Sequence, residues 1–406
     1  MNQQKTTAMG QKLLATIEQI HPADEDVMEA ARHRQESLAK PPGSLGELEN
    51  ISVRIAGMTG EVLNSMDKSC IAVFCADNGV SEEGVASAPT TVTAAQTINF
   101  TRRLTGVGAL AKAFGSELLI VDMGVKDPIP KELYDYTPLA DTHKIINRKI
   151  RLGTSNIAKG PAMTKAEAIR CIETGIEMAE AINSKDFDIM GVGEMGIGNT
   201  TTSAALLSAI TGDDSLQTVG RGGGVNDEGF ARKREIVDQV SAKYRATGGI
   251  LEEAGWTTGE FSGDADSRTG AANRMISALA EMGGFDICAM VGAYLGAAAN
   301  RMPAVIDGYI SAVAAVAAYV IAPASVDYMI ASHKSFEGGY GIAMKTIGLT
   351  PFLSLDMRLG EGSGCPIAFQ VIKGACDVMR NMATFEEAAI DDGYLEEIRS
   401  TEGFQR

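Results

Sequence analysis

Cys70-Ile-Ala-Val-Phe-Cys-Ala76 carries no charge and runs straight into Asp77-Asn78-Gly79. A short continuous apolar run closed by a polar turn reads as a strand buried on both faces. The unit recurs along the chain. Glu117-Leu-Leu-Ile-Val-Asp122 ends at Met123-Gly124, Phe187-Asp-Ile-Met-Gly191 at Gly193-Glu194, Ala304-Val-Ile-Asp307 at Gly308, and Tyr328-Met-Ile-Ala-Ser332 at His333. Helical spacing fills the intervals, as in 165–182 and 227–247. This alternation predicts an α/β fold, a Rossmann-like, mainly parallel sheet covered by helices on both faces. In such sheets a ligand lies beyond the carboxyl ends of the strands. Those ends carry Asp77, Asp122, Glu194, Asp307 and His333, so polar groups gather where a site is expected.

Outside the strands the chain reads as helical. Residues 26–38 have helical spacing, and Pro41-Pro42-Gly43 stops them. Ser44-Leu-Gly-Glu47 then reads as a capping box, with Ser44 the cap of a second helix. Helical spacing returns over 369–382, followed by a charged tail. The predicted division is an N-terminal helical segment 1–65, an α/β catalytic domain 66–367 and a C-terminal helical segment 368–406. The two end segments are expected to form a smaller helical domain.

Composition narrows the function. The net charge of -16 gives no electrostatic footprint for nucleic acid, so a bound phosphate must be held by a local site. Six cysteines without a CxxC pair, and no secretory signal, imply reduced thiols and a cytoplasmic location. Four scattered histidines without HExxH argue against a metal. The Ala-rich stretch 308–325 is bracketed by Asp307 and Pro323 and reads as a buried core helix, so no membrane partner is expected.

Three glycine-rich segments carry the chemistry. In Gly191-Val-Gly-Glu-Met-Gly-Ile-Gly-Asn-Thr-Thr-Thr-Ser203 a strand turns into a helix. Backbone N–H groups and the helix dipole there suit an anion, and Thr200 to Ser203 add hydroxyls. No GK[ST] is present, so this is not a Walker loop. In Gly220-Arg-Gly-Gly-Gly-Val-Asn-Asp-Glu-Gly-Phe-Ala-Arg-Lys-Arg234, Asn226 or Asp227 caps a helix. Its Arg232-Lys-Arg234 is a local counter-charge for phosphate. In Met357-Arg-Leu-Gly-Glu-Gly-Ser-Gly364 a carboxylate stands between glycines, open to close approach. Partial closure would raise its pKa toward that of a useful general base. A fourth segment, the long polar loop 77–96 at the sheet's carboxyl edge, is expected to bind something.

Taken in order, Lys40-Pro-Pro-Gly-Ser-Leu-Gly46, Ala76-Asp-Asn-Gly-Val80, Gly193-Glu-Met-Gly-Ile-Gly-Asn-Thr-Thr201, Asp227-Glu-Gly229 with Ala231-Arg-Lys-Arg234, and Arg358-Leu-Gly-Glu-Gly-Ser-Gly364 resemble the nicotinate-nucleotide–dimethylbenzimidazole phosphoribosyltransferase family. The resemblance implies a pentosyltransferase that moves phosphoribose from nicotinate mononucleotide to an aromatic base, giving nicotinate and an α-riboside 5′-phosphate. By that resemblance Glu361 takes the acceptor's proton and Glu194 lies near the ribose and acceptor. The nucleotide would be held by Gly196, Gly198, Asn199, Thr200, Thr201 and Lys233, with Ser335, Arg358, Gly360 and Gly362. The acceptor pocket would include Asp77, Asn78, Ala88, Gln96 and Leu359. No metal and no cofactor are implied, and the assembly is a homodimer or a heterodimer with a related subunit. The chain departs from the family pattern at Asn78, where a histidine is usual, and at Ala88, where a serine is usual. Alternatives are the same chemistry with a phenolic or purine acceptor, a non-catalytic nucleotide-binding subunit, and a generic sugar-phosphate enzyme.

Overall fold

A computed structural model describes residues 10–257, 260–261, 265–393 and 395. The charged tail expected at the C-terminus falls largely outside them. Among the described residues, seven strands form one sheet: β1 (Ser69–Ala76), β2 (Glu117–Gly124), β3 (Tyr134–Asp135), β4 (Ile145–Asn147), β5 (Ile189–Met195), β6 (Ala304–Ile306) and β7 (Met329–Ala331). Their order is β3-β4-β2-β1-β5-β6-β7, and every pairing is parallel. The central strand β1 is buried along its whole length, as its uncharged sequence requires. The order reverses between β1 and β5, which places the crevice over the carboxyl ends of those strands.

Helices cover both faces. Helices Phe285–Ala299 and Tyr309–Ile321 pack on one, with Lys165–Asn183 behind the first. Gly106–Phe114 and Cys365–Asn381 pack on the other. The Ala-rich stretch is the buried helix Tyr309–Ile321, and no helix among the described residues is long and apolar enough to cross a membrane. The edge strand β3 and its neighbour β4, two and three residues long, lack a continuous apolar run and do not stand out in the sequence. A second small apolar cluster joins Ala31, Leu38, Val53 and Ala56 to Met379. It brings the helices of residues 25–59 against the helix Cys365–Asn381. Helix Cys365–Asn381 begins with Pro366 in its first turn, slightly ahead of the predicted position.

One local prediction fails. Ser44 does not cap the second helix, which is Glu47–Thr59 preceded by Gly46 with no side-chain cap. The carboxylate of Glu49 takes over that work. It accepts from the Leu45 N–H at 3.0 Å and from Lys40 Nζ at 2.7 Å, holding the preceding turn onto the helix.

Candidate active site

A cavity of about 360 Å³ opens over the carboxyl ends of β5, β6 and β7. The turn of residues 358–364 forms one wall, and the glycine loop after β5 forms the floor. Glu194, the penultimate residue of β5, Gly196, Gly198, Asn199 and Thr200 all face it. So do Ala88 and Gln96 from the long loop and the helix after it, and Ser335, Arg358, Leu359, Gly360 and Glu361.

Glu361 is 4 % exposed and has φ 64. Its Oε2 accepts the Val107 N–H at 3.1 Å, at the start of helix Gly106–Phe114, and its Oε1 accepts from Gln96 Nε2 at 3.3 Å. Burial raises its pKa above the ordinary carboxylate range, while the Val107 N–H pulls the other way. The result is a carboxylate held at a helix N-terminus yet short of solvent, a combination that suits proton transfer. Its close fit depends on Gly193. A side chain there would run into the Glu361 backbone, whose carbonyl carbon lies 2.7 Å from where a Cβ would sit.

Glu194 is pushed up to about 8, chiefly by burial and secondarily by the neighbouring Asp286. Asn199 Nδ2 bridges the two carboxyl groups, at 2.5 Å from Glu194 Oε2 and 3.1 Å from Asp286 Oδ2. Asp286 sits at the start of helix Phe285–Ala299, and burial pushes it up to about 6. Glu194 is therefore protonated near neutral pH and can donate a hydrogen bond as well as accept one.

Cations also gather around the glycine loops, with the Glu337 carboxylate among them. Lys233 is 1 % exposed; its Nζ donates to Thr200 Oγ1 at 2.8 Å and to the Gly220 carbonyl at 3.0 Å. Asn226 caps its helix, Asp227–Arg245, by accepting the Gly229 N–H at 2.9 Å. Of the expected basic trio only Lys233 points inward. Arg232 pairs with Glu83 at 2.5 Å, and Arg234 lies over the Phe230 ring. Arg221 and Arg358 line the cavity as further cations.

Several predicted residues lie elsewhere. Thr201, Thr202 and Ser203 are fully buried inside helix Asn199–Thr211, because successive helical positions point in different directions; only Thr200 faces the cavity. Asn78 does not line the cavity but packs beneath the glycine loop, its N–H donating to the Ile197 carbonyl at 3.2 Å. Asp77 is buried beside it and accepts the Lys126 N–H at 2.7 Å. Asp122 is engaged by Tyr134 and Lys149, away from the cavity. Gly362 supports the wall rather than facing the space, donating to Asp307. Sequence reasoning left Arg221, Asp286 and Asp307 without a role. Asp307 was visible at a strand end. Asp286 gave no signal, being far from Asn199 in the chain and joined to it only by folding.

A family model described as phosphoribosyltransferase matches residues 20–390. The chain is 47% identical over 383 residues to the nicotinate-nucleotide–dimethylbenzimidazole phosphoribosyltransferase of Clostridium perfringens, covering 94% of this chain and 96% of the relative. It is 41% identical over 379 residues to the protein of the same name from Acetivibrio thermocellus, covering 93% and 98%. Among solved structures, CobT from Thermus thermophilus superposes with a TM-score of 0.78 at 33% identity, covering 91% of this chain and all of that one. The motif-bearing segments thus sit within one continuous match, and the chain belongs to the nicotinate-nucleotide–dimethylbenzimidazole phosphoribosyltransferase family.

Proposed function

We propose that the protein transfers the phosphoribosyl group of nicotinate mononucleotide to an aromatic lower-ligand base, 5,6-dimethylbenzimidazole or a close analogue, for assembly of a cobamide nucleotide loop. The observation that carries this reading is one cavity lined both by the buried Glu361 carboxylate and by Arg221, Arg358 and the Lys233-bound Thr200. The nucleotide phosphate lies against these cationic groups, with the glycine loop and Ser335. The acceptor lies against Glu361. Part of the cavity wall is apolar, with Val85, Ala86, Ala88, Val92 and Leu359. Such a wall fits methylated benzimidazole carbon and offers little to the exocyclic amine of a purine.

In the reaction the acceptor's N–H proton passes to Glu361. The freed nitrogen lone pair forms the new bond to the anomeric carbon. The bond to nicotinate breaks with its electron pair, which neutralises the pyridinium nitrogen. Attack from the face opposite nicotinate inverts the centre and gives the α-riboside. Glu194, protonated and close to the base, is placed to hold a ribose hydroxyl. The reading includes a dimer, which sedimentation of the purified protein tests, and a cytoplasmic location, which fractionation of cells tests.

Incubation with nicotinate mononucleotide and a panel of bases tests the whole reading. Dimethylbenzimidazole should give α-riboside phosphate and equimolar nicotinate. Product with p-cresol or adenine alone would replace the acceptor, and no nicotinate release with any base would end the reading. The variant Glu361→Gln should lose at least ~100-fold in kcat, the range for loss of a general base.

A further inference from the structure

Asp307 follows β6 and is almost completely buried, and neither its burial nor its bonding is explained by the chemistry above. Its Oδ2 accepts the Gly362 N–H at 2.9 Å, and its Oδ1 accepts the Gly364 N–H at 2.7 Å. Both donors belong to the turn that carries Glu361. That residue has φ 64, a left-handed conformation that costs a residue with a side chain and persists only where the surroundings over-determine it.

The other side of Asp307 is equally ordered. The Ser332 hydroxyl has one proton and donates it to the Ile306 carbonyl at 2.6 Å. It must then accept from His333 Nδ1, 3.0 Å away. The imidazole proton is therefore on Nδ1, whose edge stands 3.9 Å from Asp307 Oδ1. An electropositive imidazole edge and two backbone N–H groups converge on one carboxylate.

We propose that Asp307 is a positioning residue for the general base: its two oxygens lock the 360–364 turn in the strained form that holds the Glu361 carboxylate at the cavity. The inference rests on the assignment of Glu361 as base. Asp307 borders the cavity, but its two oxygens are bonded to the turn, and it acts through that turn.

In Asp307→Asn one oxygen is replaced by an amide NH2 group that meets an N–H donor to donor. That variant should lose roughly 30- to 100-fold in kcat, the scale of a misplaced catalytic group, with KM for nicotinate mononucleotide within about threefold because the phosphate end is untouched. In a Glu361→Gln background the same change should cost less than about threefold more, since residues acting as a unit are not additive. An undiminished kcat, or the same fold-loss with and without Glu361, overturns the proposal. Hydrogen exchange of the wild-type protein gives a test independent of any variant: the Gly362 and Gly364 amides should be strongly protected, and exchange at free-loop rates overturns it too. Full activity of Glu361→Gln alone would break the base assignment instead, and would leave the amide protection intact.

Discussion

Asn199 Nδ2 lies 2.5 Å from Glu194 Oε2, an amide donating to a carboxyl group that burial and Asp286 push up to about 8. The native protein therefore keeps on Glu194 a proton that the unfolded chain releases in the ordinary carboxylate range. Stability from this group is complete below that range and is lost as pH rises toward 8. Glu194→Gln fixes the neutral form. Its unfolding temperature should decline less than that of the wild type between about pH 5 and about pH 8. Parallel calorimetric curves would show Glu194 to be ionised in the native protein.

Lys233 titrates in the opposite sense. Burial pushes it down to about 8, with the charge of Glu337 opposing the shift. The ammonium that would meet a phosphate is present below that value and lost above it. KM for nicotinate mononucleotide should thus rise as pH climbs past about 8. Lys233→Met, similar in shape but without charge, should raise KM by about 10- to 100-fold, matching the ~1.5–3 kcal/mol of a hydrogen bond to a charged group. It should also remove the alkaline rise. Steady-state kinetics across pH reads both effects.

The acid limb of kcat should report Glu361. Its pKa is raised by burial, and the Gln96 amide opposes the rise by donating to Oε1. Proton abstraction is available above the Glu361 pKa and fails as pH falls through it. Gln96→Leu removes a donor to the ionised form, so the acid limb should move to higher pH. A limb that stays in place would detach it from Glu361.

Gly193→Ala tests the close approach of strand and turn. The nearest atoms the new Cβ would meet are backbone atoms of Glu361 and Gly362, which cannot rotate away. Overpacking of this kind costs about 1–3 kcal/mol, and here it also displaces the base. Denaturant unfolding should show the destabilisation, and kcat should fall more than KM rises.

The five main strands were legible because each is a short apolar run, and the site was legible where glycine packs around a polar residue. Strands β3 and β4 were not, since pairs such as Tyr134–Asp135 become strands only by lying beside a neighbour. The sense in which a residue points was also hidden. The run Thr200 to Ser203 offers four hydroxyls in sequence, yet helical rotation presents one. The trio 232–234 likewise delivers a single cation. Asn78 reads as a pocket residue by its place in a loop, but the loop turns it inward beneath residue 197. Asp286 and Asp307 matter through partners 87 and 55 or more residues away, a relation that periodicity does not encode.

The cavity mixes charges rather than separating them. Glu194, Asp307, Glu337 and Glu361 line it together with Arg221 and Arg358, and Lys233 stands behind Thr200. Burial raises the pKa of Glu194, Asp307 and Glu361, so three of these four acids are held closer to their neutral forms. A strongly acidic chain therefore meets an anionic ligand with a lining closer to neutral than its composition alone would give.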